Sequence, residues 1–248
     1  GGLAGSPGGV PLYKGGKLVG GVGVAGDGDG PTDITPQTIA AADVDEDVAL
    51  AGQINFAPSD QIFGSHVTID GIRLPYVLGG TSLPVVAPLG SIGVNYAAFP
   101  LTAGPGPITY PPLTLGGVTG ELRIPIISDP SGVLLPSGAA RLTATEVTNI
   151  IAAAANRART TRAGIRLPRG QAAQVFISVV SNPNLAGSPP VILGSFCTSP
   201  DTTRFSWDVS VQKARTALFF SANNRAYSAR TVGFLAQSLY PPGISGTQ

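Results

Sequence analysis

Few residues of this chain carry groups able to do bond-making chemistry, and they stand alone rather than in constellations. His66 is the sole histidine and Cys197 the sole cysteine. Any mechanism that needs imidazole therefore rests on a residue in a proline-rich stretch, where an exposed or structurally bonded ring is the simpler role. Cys197 closes an apolar run, Gly194-Ser195-Phe196-Cys197, with no basic partner beside it, and reads as a packed thiol rather than a nucleophile. The acidic loop Asp27-Gly28-Asp29-Gly30-Pro31-Thr32-Asp33 sets Asp27, Asp29 and Asp33 on a flexible turn that could hold Ca²⁺. It lacks the distal glutamate of a complete calcium loop, so an ordinary Asp/Gly turn is the plainer alternative. Paired glycosidase carboxylates, a phosphate-cradling glycine loop with its lysine and a Gly-x-Ser-x-Gly elbow are all missing from the sequence. Nothing in the residues themselves argues for an enzyme.

The elements that must position these groups begin with a hairpin. Val10 and Leu12, then Leu18, Val19, Val22 and Val24, are strand formers, and Gly15-Gly16 between them supplies the positive φ angles of a tight turn. Gly20, Gly21 and Gly23 bare one face of the second strand, which invites a helix, another backbone or a flat ligand. Residues 36–53 read as a helix ending at Gly52, with Asp43, Asp45, Glu46 and Asp47 on a solvated acidic face. From Phe56 to Pro136 helical periodicity vanishes and prolines recur. Asp70-Gly71 marks a second hairpin over 67–77, and runs at 108–115 and 122–127 suit edge strands. So long a stretch without a helix reads as an extended, strand-bearing bridge that packs against a neighbour.

Helical signals return at Thr143-Ala144-Thr145-Glu146, a capping box that opens a helix over 144–160. Val175–Val180 is a buried strand, Asn182-Pro183-Asn184 a turn, and 191–196 the returning partner. A helix over 207–220 with Ser206 as its cap and a short one over 231–237 complete the chain.

Composition bounds the possibilities. With 43% hydrophobic residues the 248-residue chain can build a sizeable core, and Gly 34 with Pro 23 implies many turns. Charged residues make up only 12%, a surface better suited to burial in an oligomer than to solitary life in water. A net charge of +1 gives no reason to expect nucleic acid, and the arginines of 157–169 read as a solvated helix end. No apolar run is long enough for a membrane span. The start at Gly1 and the absence of methionine fit a processed chain that has lost an export signal, which places the expected location in the periplasm or outside the cell.

Two stretches resemble the GlcG/HbpS-like family of haem-binding and haem-degrading proteins, also seen as the C-terminal module of PduO-type proteins. One is 7–56, with Pro-Gly-Gly-Val-Pro-Leu and Val-Gly-Gly-Val-Gly-Val. The other is 142–243, with Leu142-Thr143-x-x-Glu146-Val147, Val175-x-Ile177-x-Val179-Val180 and Asp208-Val209-x-Val211-x-Lys213-Ala214-x-Thr216-Ala217. Together they span the larger part of the chain. The resemblance implies an α+β fold, an antiparallel sheet flanked by helices, in which profilin-like sandwich halves at 1–56 and 141–248 are joined by a Pro/Gly-rich bridge at 57–140. It implies haem or a related flat cofactor as ligand, with Lys213 matching the family's recurrent lysine. Tyr13 and Lys14, at the hairpin turn, could face such a ring, and His66, outside both stretches and matching no family motif, is the remaining candidate contact.

In that family the helix-led half precedes the glycine hairpin, and here the order is reversed. A circular permutation would close one sandwich within the chain. A cut tandem precursor would leave each half to find its complement on another chain, and the expectation leans to this second arrangement, with a homo-oligomer or a complementary chain as partner. Two functions follow: an oligomeric binding protein, or a structural assembly subunit that uses the split sandwich to interlock and binds no ligand.

Overall fold

A computed structural model describes residues 2–26, 42–78, 110–163, 170–184 and 188–237. The protein is α+β: a six-stranded antiparallel sheet with helices on both faces. In chain order the strands and helices are β1 (Gly9–Lys14), β2 (Lys17–Ala25), α1 (Val44–Gly52), β3 (Thr68–Ile69), β4 (Ile72–Arg73), β5 (Pro112–Leu115), β6 (Val118–Ile124), α2 (Ala144–Thr160), β7 (Phe176–Ser181), β8 (Ile192–Cys197), α3 (Ser206–Phe220) and α4 (Ala229–Leu235).

The sheet runs β1-β2-β7-β8-β6-β5, with β3-β4 a separate hairpin. Both tight turns form where the sequence places them. Gly15 and Gly16 take φ of 52° and 74°, Asp70 and Gly71 of 51° and 80°, the two positive angles such a turn needs.

Pairing of β2 with β7, Val22 opposite Val179, joins the opening hairpin to the closing half inside one chain. The segment expected to be an extended, strand-bearing bridge enters the sheet: β6 lies between β8 and β5. β5 is an edge strand as expected, with Pro111 and Pro112 at its start, whereas β6 is interior because Val118–Ile124 contains no proline and offers both sides of its backbone for pairing.

Two cores flank the sheet. Val10, Leu12, Val22, Val24, Ile177 and Val179 point toward α1 and α2, where Val48, Val147, Ile150, Ile151 and Ala154 meet them. On the other face α3 lies on the glycine stripe. A Cβ at Gly9, Gly21 or Gly23 would overlap the α3 backbone at Lys213, Ala214 and Ser210 respectively, so these glycines let helix and sheet backbones touch. Of the three occupants that the bare strand face invited, it takes a helix.

α2 spans the expected 144–160 with both halves of its capping box made: the Glu146 amide donates to Thr143 Oγ1 at 3.3 Å and the Thr143 amide to Glu146 Oε2 at 2.8 Å. α1 is shorter than expected. Asp43 accepts from the Glu46 amide and caps the helix, so the helix starts at Val44; positions 36–41 lie outside the described residues. Ser206 is the first residue of α3 and not its cap, since Phe205 occupies that position without a side-chain bond. α4 starts two residues earlier than expected because Ser228 and Thr231 form a second reciprocal cap.

Candidate functional site

The highest density of buried charge lies at the start of α1. Asp45, Glu46 and Asp47 fill its first turn, where exposed amide groups and the helix dipole favour carboxylates. All three are buried, so the solvated acidic face expected from the sequence is not what forms. Each meets a cation from a different helix. Lys213 of α3 donates to Asp45 at 2.9 Å, and Arg230 of α4 reaches both Glu46 oxygens at 2.9 Å. Arg157 of α2 holds Asp47 with two bonds, of 2.6 and 3.0 Å, which also takes it out of the solvated arginine run read from the sequence. Glu46 further accepts the Leu78 amide at 3.1 Å.

These pairs pin α1 to α2, α3 and α4 at once. Removing charged groups from water costs several kcal/mol per ion, and only close, well-directed partners offset it. The bidentate arginines meet that requirement, since a planar guanidinium matches a carboxylate edge to edge. Burial, with the Asp45 charge next, pushes the Asp43 carboxyl up to about 7 from an ordinary 3.8, against the pull of Lys213. The cluster thus contains a carboxyl that titrates near neutrality.

Lys213, the side chain proposed for ligand contact, is 4% exposed and held by Asp45. Gly8 runs directly over the pair: a Cβ there would meet the Lys213 ammonium at 2.9 Å and the Asp45 Cβ at 3.0 Å. Tyr13 is also buried, its hydroxyl donating to the backbone oxygens of Ala222 (2.8 Å) or Arg225 (2.6 Å), and burial pushes its pKa far above the ordinary phenol value. Lys14 donates to the Arg141 carbonyl at 3.0 Å and pairs with Glu146 at 2.8 Å. Burial works against the Glu146 carboxylate, but Lys14 and Thr143 outweigh it and hold its pKa below the ordinary value.

His66 ends the short 3₁₀ turn Gly64–His66, exposed and 3.6 Å from an exposed Asp60. Gly9, packed against Lys213, and Lys14 are opposite ends of β1, roughly 16 Å apart at about 3.3 Å per residue. Lys213 and the Tyr13-Lys14 pair therefore do not converge on one ligand. Asp27, Asp29 and Asp33 lie outside the described residues, and no group of three metal-ligating side chains is found among those described. Cys197 is buried and donates to the Ser199 carbonyl at 2.9 Å, and burial raises its thiol pKa, as a packed cysteine requires.

Sequence reading missed the partners rather than the acids. Arg230 sits in Ala229-Arg230-Thr231-Val232, an apolar short helix, and Lys213 in Val211-Gln212-Lys213-Ala214. A lone cation flanked by buried positions is the signal that each needed an internal counter-charge.

Comparison of the chain with protein-family models, with curated proteins and with solved structures finds no match.

Proposed function

We propose that the chain is a non-catalytic assembly subunit that works through surface association rather than through a bound cofactor. The observation that carries this reading is the commitment of Lys213: buried under Gly8, paired with Asp45, and on a helix that fills the glycine face a flat ligand would need. Apolar groups left outside support the association half. Val133 is 81% exposed, Phe205 65% and Trp207 44%, in a chain whose charged fraction is about half the usual ~25%. Sedimentation velocity at micromolar concentration tests it. A self-associated species that Phe205→Asp with Trp207→Asp dissociates is expected; a monomer at every concentration, with no partner captured, overturns it.

A second reading, the haem or flat-cofactor module of the GlcG/HbpS-like family with a profilin-like sandwich, is favoured by one observation. β2 and β7 bring the two resembling stretches into a single sheet, as one closed module would. Titration with haemin tests it, and an unshifted Soret band at saturating protein counts against it. On this reading the protein acts in the periplasm or outside the cell.

A further inference from the structure

A cavity of about 350 Å³ opens where the β1–β2 hairpin, residues 182–184 with Ser188, and the end of α3 converge, within the size range of small-molecule sites. We propose that it is a binding site for a neutral saccharide, an inference independent of how the subunits associate. Among the described residues its lining contains no Asp, Glu, Lys, Arg or His, so a charged ligand would meet no counter-charge from them. Carboxamides and two hydroxyls supply the polar side chains, and of the hydroxyls Ser221 is bonded to the Tyr227 backbone.

The hydrogen bonds divide these groups into scaffold and reserve. Asn182 is engaged at both ends: its Nδ2 donates to the Leu18 carbonyl at 2.8 Å and its Oδ1 accepts the Asn184 amide at 2.9 Å, which fixes the wall. Asn223 Oδ1 accepts the Leu18 amide at 3.0 Å, orienting that carboxamide while its Nδ2 keeps no partner among the described residues. The Asn184 carboxamide and the Ser188 hydroxyl are likewise uncommitted there. Asn184 is held at φ 49°, a left-handed conformation that asparagine tolerates and that fixes where its side chain starts.

Beside them stands Phe219, 51% exposed on the last turn of α3. Donors and acceptors of both kinds, no ionised group and one accessible aromatic face match a ring that carries hydroxyls on its edges and C–H bonds on its faces. A flat apolar cofactor would not engage the carboxamides, and a phosphate or carboxylate would find no cation among the described lining residues.

Side-chain amide and aromatic NMR signals, followed while N-acetylglucosamine, cellobiose and glucuronate are added separately to the full chain, test the proposal. Saturable shifts at Asn184, Asn223 and Phe219 with a neutral sugar, and weaker ones with glucuronate, are expected. Phe219→Ala should weaken binding about fivefold, the scale of one lost aromatic contact. Asn184→Gly keeps the left-handed backbone while removing the carboxamide, and should weaken it too without unfolding the protein. Absence of saturable shifts with both neutral sugars, equal shifts with glucuronate, or full binding by both variants overturns the proposal.

Discussion

Lys213 on α3 and Asp45 on α1 lie 168 residues apart in sequence and meet at 2.9 Å with both side chains buried. The pair ties the helix over one sheet face to the first turn of a helix on the other, so it acts on layers that share no direct core.

Its removal should be felt from one side. Lys213→Met leaves the Asp45 carboxylate without its ammonium in a buried site, and a loss of about 3–5 kcal/mol is expected. Adding Asp45→Leu should recover part of that loss, which urea denaturation of the single and double variants will read. Strictly additive losses would contradict an interaction between the two.

Gly23→Ala tests the contact of α3 with the sheet. The new methyl would overlap the Ser210 carbonyl, which is backbone and cannot rotate aside. A loss of about 1–3 kcal/mol is expected, the usual range for overpacking. An unchanged unfolding midpoint would mean that α3 does not rest on β2.

Asp43 should make stability fall with pH. Its carboxyl is pushed up to about 7 in the folded protein from an ordinary 3.8. The folded state therefore binds this proton more tightly than the unfolded one. Its contribution is complete below the ordinary value and is lost as pH rises through about 7. Asp43→Asn keeps a helix-capping oxygen and removes the charge. Denaturant midpoints should drop between about pH 4 and pH 7 in the native chain and drop less in the variant. Parallel profiles would sink the assignment.

Thr143→Ala should cost about 1 kcal/mol, the worth of an N-cap, measured by thermal unfolding. Glu146→Gln would separate the cap from the ion pair to Lys14, because glutamine still reaches the Thr143 amide but carries no charge.

Much of the fold was legible because it is governed locally. The Gly15-Gly16 and Asp70-Gly71 turns, the Thr143–Glu146 box and the β-branched run into β7 each carry their own instructions over a few residues. The fate of Val118–Ile124 was not, because an interior and an edge strand differ in what lies beside them, which only the folded chain supplies. The acidic run misled for a related reason. Asp45, Glu46 and Asp47 look solvated until Lys213, Arg230 and Arg157 arrive from three distant helices. Lys213 itself was singled out, and its burial against Asp45 lies beyond what spacing along one helix encodes.

The seam between β2 and β7 has a consequence for biogenesis. Leu18 and Asn182, bonded across that seam, are 164 residues apart, so a ribosome releases the opening hairpin long before its neighbour exists. Until then the outer backbone of β2 has no partner from β7, and a truncation that removes the last hundred or so residues leaves the hairpin with α1 on one face but without β7 at its border or α3 on the other face.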